Sequence, residues 1–90
     1  MAEKKVYRIC TEDVNRETII DLVAIHFGCF NVLTGHGYWQ GIAEQSLTVE
    51  IITDLATARE AIYGIASKIR DYNKQDAVLV TVQTIESELI

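Results

Sequence analysis

The sequence predicts a single α+β domain over residues 1–90, with four strands and two helices in the order β-α-β-β-α-β. Three observations predict it. Residues 47–53 alternate, with Leu47, Val49 and Ile51 on one face and Thr48 and Glu50 on the other. After them, Leu55, Ala58, Ile62, Ile65, Ile69 and Tyr72 recur at spacings of three and four, as one face of a helix does. Residues 77–82, Ala-Val-Leu-Val-Thr-Val, then form a nearly continuous apolar run, which suits a strand covered on both faces in the centre of a sheet.

The remaining elements follow in chain order. Residues 6–11 are β-branched and aromatic and read as the first strand, which residues 12–15 end. Asn15 can cap a helix from Arg16 to about Phe27, its side-chain oxygen accepting a free N–H of the first turn, with Glu17 adding favourable charge. Ile19, Leu22, Val23 and His26 share a face of that helix. Gly28 suits a left-handed residue closing it, and residues 29–33 read as the second strand. Residues 34–44 form a glycine-rich connection to the third strand. Asp54 can cap the second helix, and residues 73–76 turn the chain into the last strand.

Two right-handed crossovers in this order give the ferredoxin-like arrangement, an antiparallel sheet with both helices on one face. The other face is left bare. Ile52 breaks the polar side of its strand, and Val78, Val80 and Val82 add apolar groups that cannot all face the helices, so the open face is expected to pack on other subunits. A domain of 90 residues buries only somewhat more than roughly 60% of its unfolded surface, and association would add to that thin margin.

A hydrophobic fraction of 49% with 23% charged residues excludes disorder. A net charge of −5, with no basic run beyond Lys4-Lys5, argues against nucleic acid as a partner. No apolar segment approaches the roughly 20 residues that span a bilayer, and residues 1–5 lead straight into a strand, so the expectation is a cytoplasmic protein without membrane contact. Cys10 and Cys29 stand in apolar runs and read as buried thiols. No spacing of histidine, cysteine and carboxylate predicts a metal site.

The chemically unusual stretch is residues 33–46, which carries three glycines, the chain's one tryptophan, a histidine, a tyrosine and a carboxylate. Gly35 and Gly37 let a ligand approach the backbone, and Tyr38 and Trp39 offer a stacking surface for a base or a cation. The same pattern reads equally as a long hairpin whose aromatics pack in an oligomer interface. His36 is either a base near neutral pH or a solvated turn residue. Glu44, where the hairpin rejoins the strand, can point into a cleft beside Tyr38, whereas Glu50 alternates outward to solvent or a subunit contact.

The run Asn31-Val32-Leu33-Thr34-Gly35, a loop, and then Leu47-Thr48-Val49-Glu50-Ile51-Ile52-Thr53 before a helix resembles the PII-like superfamily over most of the chain. That resemblance implies a homotrimer holding an adenine nucleotide or adenosyl ligand in clefts between subunits. The long nucleotide-gripping loop of PII proteins is missing here. A narrower resemblance, to phage S-adenosylmethionine lyases, rests on Thr34-Gly35 through Gly37-Tyr38, Glu44 before Thr48-Val49, and Gln75-Asp76-Ala77-Val78-Leu79-Val80. It implies cleavage of S-adenosylmethionine to homoserine lactone and methylthioadenosine without metal or cofactor, in a host cytoplasm if the gene is a phage's. Tyr38 and Glu44 would be the catalytic positions, with Thr34, Gly35, His36, Gly37, Trp39 and Gln75 binding ligand. The alternative is a PII-like trimer that binds a nucleotide or a protein as a regulator and catalyses nothing.

Overall fold

The structure is a computed structural model that describes residues 2–90. Its elements are β1 (Ala2–Glu12), α1 (Arg16–Ala24), β2 (Asn31–Trp39), β3 (Ile42–Thr53), α2 (Ala58–Tyr72) and β4 (Leu79–Ser87). The strands form one antiparallel sheet in the order β2-β3-β1-β4, the ferredoxin-like arrangement expected from the element order. Among the described residues no helix is long and apolar enough to cross a membrane.

The strand register assigns each side chain to a face. Tyr7, Ile9, Leu47, Val49 and Ile51 alternate onto the helix side and are buried, meeting Ile19, Val23 and Phe27 from the first helical segment and Ala58, Ile62, Ile65, Ala66 and Ile69 from α2. The apolar stripe read for α2 is therefore its packing face, with two exceptions. Leu55 precedes the helix and Tyr72 ends it, and both are exposed.

The opposite face carries side chains in rows across the strands. Asn31, Glu50, Arg8 and Thr81 make a polar row, where Arg8 Nε donates to Glu50 Oε2 at 3.0 Å. It lies between a row of Ile52, Val6 and Gln83 and a row of Leu33, Thr48, Cys10 and Leu79. Leu33, Ile52 and Leu79 are 51%, 45% and 60% exposed, so this face does present apolar groups to solvent.

Several expectations are corrected. β4 is an edge strand and not a central one: Val78 and Val80 pack on the core and Leu79 points to the open face, which makes the run apolar without two covering neighbours. Leu33, Ile52 and Leu79 are the exposed apolar groups of the open face, whereas Val80 and Val82 pair with Ile9 and Tyr7 on the helix side and Val78 packs on the core. α1 stops at Ala24, His26 is exposed and Phe27 takes the buried place below it. Gly28 has no left-handed backbone; that geometry occurs at Asn15, Gln40, Gly41 and Lys74.

The helix starts also differ. Asn15 is the α1 cap position, but its side chain donates to Asn73 Oδ1 at 2.7 Å and caps nothing. Thr57, not Asp54, precedes α2. Neither thiol is fully buried, Cys10 being half-buried on the open face and Cys29 exposed.

Candidate functional site

Residues 34–44 are not a loose connection. β2 runs through Gly35 and Gly37 to Trp39, and a two-residue turn at Gln40-Gly41 returns the chain at Ile42. Both turn residues have positive φ, 51° and 81°, the combination that matches the twist of a tight hairpin. Glycine does not prevent strand pairing; it removes a side chain from the face where it stands. A Cβ at Gly37 would sit 3.4 Å from Ser46 Cβ and 4.0 Å from Glu44 Cγ, and one at Gly35 would meet Ser46 Oγ at 3.5 Å. The glycines thus leave the surface of Ser46 and Glu44 uncovered.

A cleft of about 400 Å³ opens at this end of the sheet. Its floor is Cys10, Glu12, Ser46, Glu44 and Leu79, its hairpin wall is residues 37–39, and its third side is residues 73–77. Glu12 pairs in register with Ser46, which puts its carboxylate diagonal to that of Glu44 on the same face. Desolvation pushes the Glu44 carboxyl above the usual range, and the charge of Glu12 and a hydrogen bond with it push it further.

The third side is built by the end of α2. Gln75 N–H donates to Arg70 C=O at 2.9 Å and Lys74 N–H to Asp71 C=O at 3.3 Å, the two bonds of a Schellman closure, with Lys74 in the left-handed place that glycine ordinarily fills. Asn73 Nδ2 donates to Val14 C=O at 3.0 Å. Gln75 then reaches the sheet: its Nε2 donates to the hydroxyl of buried Thr11 at 2.8 Å, and that hydroxyl donates to Gln75 Oε1 at 2.8 Å.

Of the residues singled out in the sequence, the structure brings Gly37, Tyr38, Trp39, Glu44 and Gln75 to one cleft. Thr34, Gly35 and His36 are not among its lining residues. Thr34 and His36 alternate to the other side of β2, where His36 Nδ1 lies 3.5 Å from Gln45 Nε2. Tyr38 and Trp39 do not form one stacking surface either, because neighbours on a strand point to opposite faces. Trp39, 44% exposed, shares the face of Glu44, while Tyr38 is 76% exposed at the rim. Sequence reasoning missed Glu12, Thr11, Lys74 and Asp76. Glu12 was placed in the turn after β1, and only the cross-strand register reveals it beside Glu44.

No protein-family model matches the chain, and no curated protein sequence matches it. Solved structures do. A phage SAM lyase in complex with S-methyl-5′-thioadenosine superposes with a TM-score of 0.71 at 16% identity, covering 89% of this chain and 80% of that one. CPII, a nitrogen regulatory PII-like protein from Thiomonas intermedia bound to ADP, AMP and bicarbonate, gives 0.69 at 13% identity over 99% and 98%. A DUF3240 family protein from Shewanella baltica gives 0.74 at 11% identity over 100% and 98%. At such identities the likeness is one of fold: this chain has a ferredoxin-like fold similar to those of the PII-like protein CPII and of a phage SAM lyase.

Proposed function

We propose that the cleft binds a cationic adenosyl ligand and that the protein is an S-adenosylmethionine lyase. The observation that carries this reading is the charge of the lining: Glu12, Glu44 and Asp76 face a single cation, Lys74. A phosphate chain entering such a cleft meets like charge, whereas a sulfonium with an α-ammonium meets opposite charge. The indole of Trp39 supplies an apolar, polarisable wall of the kind that suits a base or a sulfonium.

The chemistry asks little of the protein. The substrate's own carboxylate oxygen attacks its γ-carbon, the carbon–sulfur bond breaks with its electron pair going to sulfur, and homoserine lactone and methylthioadenosine leave with no proton exchanged. A negative and a positive charge neutralise each other along the way, so a site that excludes water and holds the folded conformer favours the step. Glu44 would hold the ammonium, Tyr38 would flank the sulfonium from the rim, and the bare backbone at Gly37 would let the ligand lie against the strand. No metal or cofactor enters.

The cleft is open on its outer side. A second and third copy packed on the face that carries Leu33, Ile52 and Leu79 would close it, which supports a homotrimer with sites between subunits. Such a substrate places the protein in the cytoplasm. The regulator reading, a nucleotide binder without turnover, has Lys74 in its favour as a phosphate partner. Calorimetric titration with S-adenosylmethionine and with ADP, followed by chromatography for methylthioadenosine, decides between them. Methylthioadenosine that accumulates with protein concentration is the expected result. Tight ADP binding without cleavage would replace the lyase by the regulator.

A further inference from the structure

A second cavity, of about 350 Å³, lies at the end of the sheet away from the first cleft and from the wall of residues 73–77 that the Thr11–Gln75 clasp ties to β1. It opens between the start of β1, the end of β3 and the start of α2. Among its lining residues is Tyr7, which is 3% exposed and whose hydroxyl has no hydrogen-bond partner among the described residues. The phenol oxygen is not sealed in the core, so the tip of this buried side chain opens into the cavity with its donor and acceptor free. The start of α2 adds unpaired donors. Thr57, the cap position, gives no side-chain bond, and the N–H groups of Ala56, Arg59 and Glu60 have no backbone acceptor.

Six charged side chains surround these groups, Lys4, Lys5 and Arg59 against Glu3, Asp54 and Glu60. Among the described residues none of the six is in an ion pair: Lys5 reaches the Thr84 hydroxyl at 3.4 Å and Arg59 the Tyr63 hydroxyl at 2.8 Å, both neutral. The charges are balanced in number without being matched to one another. A lone anion entering this ring meets three carboxylates, and a lone cation meets three positive groups, whereas a small molecule carrying both charges finds a partner for each. The start of α2 tells the two ends apart, since negative charge is favoured where a helix presents its free N–H groups.

We propose that this cavity binds a free aliphatic α-amino acid, its carboxylate on the amides of Ala56 and Arg59 and the Tyr7 hydroxyl, and its ammonium taken by Asp54 and Glu60. The volume is near the lower limit of ligand pockets, roughly 300 Å³, which suits a molecule of this size. Leu55, 56% exposed, and Ala56 give the lining an apolar part for the side chain. No residue of the first cleft takes part, so the site stands whether or not that cleft is a lyase's.

Leucine and two probes that each lack one of its charges, isocaproate without the ammonium and isoamylamine without the carboxylate, are titrated into the isotope-labelled full chain and followed by its amide resonances. Leucine is expected to move the resonances of Ala56, Arg59 and Glu60 saturably, and each single-charge probe should bind at least about tenfold more weakly. Tyr7→Phe should weaken leucine about tenfold without lowering the melting temperature, because the hydroxyl it removes has no partner in the chain. Glu60→Gln should weaken leucine but not isocaproate. Either probe binding as tightly as leucine overturns the proposal, and so do leucine shifts that never saturate or that gather at residues 37–39 and 73–77 instead. A folded Tyr7→Phe that binds leucine as the natural chain does overturns it too, since the phenol is what marks this cavity as a site.

Discussion

The two faces of the sheet solve opposite problems with the same strands. On the helix face, Ile9, Leu47, Val49 and Ile51 are wholly buried against two helices, and the polar intruder, Thr11, is satisfied by Gln75. On the open face, apolar and polar rows alternate, an ion pair spans the two central strands, and two carboxylates crowd one end. The first face spends its residues on stability. The second keeps charge and apolar surface uncovered, at a cost to the isolated chain, which is the condition a binding or assembly surface requires.

The contrast is sharpest at neighbouring residues. Ile51→Ala should cost about 2–5 kcal/mol, by lost transfer energy and a cavity, whereas Ile52→Ala should stay within about 1 kcal/mol in the monomer. Urea melts of both variants check this. If the open face is an interface, the Ile52 penalty should grow with protein concentration, because association stabilises only the folded form. A concentration-independent penalty at Ile52 as large as that at Ile51 would erase the distinction between the faces.

Next in size is the clasp at the margin of the helix face. Thr11→Val removes the hydroxyl and leaves the Gln75 amide short of its partner, which should cost about 1–3 kcal/mol. Thermal melts of Thr11→Val and Thr11→Ser should place the serine variant close to the natural chain. Lys74→Gly should act in the other direction and gain about 1 kcal/mol, since glycine adopts the left-handed backbone without the clash that a β-carbon brings. A drop in melting temperature on Lys74→Gly would show instead that the lysine side chain holds the wall.

The smallest effect belongs to the open face and is a slope with pH. The folded chain holds the Glu44 proton more tightly than the unfolded chain does, so this group's stabilisation is complete below the ordinary value of 4.5 and declines as pH rises through the raised value. Asp13 runs oppositely: the Arg16 guanidinium lowers its carboxyl, and that contribution is lost only as pH falls below the ordinary 3.8. The two windows are separate. Melts across the upper window should show a shallow decline that Glu12→Gln reduces, and a decline of equal slope in Glu44→Gln would assign it to another group.

Much of this was legible in the sequence, for physical reasons that differ by element. The α2 stripe and the alternation of β3 report burial directly, and with strand order they fix the fold. The α1 start was misread because Asn15 has two possible partners, and Asn73, 58 residues away, wins over the helix N–H groups. The glycines of β2 read as a loop, although their pairing with β3 is set by the tight turn and not by side-chain propensity. Glu44 was visible as a lone carboxylate, but its neighbour Glu12 depends on a register that no local pattern encodes.

That register gives the hairpin tip an arithmetic of its own. β3 is anchored on its far side by β1, so β2 is the strand free to move in phase. Loss of one residue at Gln40-Gly41 would make β2 slip by an odd step, bringing Thr34 or His36 over Ser46 in place of Gly35. The hollow would be filled from within, with every residue that lines it still present. Added residues extending the turn beyond the last strand pair would only lengthen the tip. Relatives of this chain can therefore vary the tip by growing outward while keeping the hollow, but not by shortening it by one.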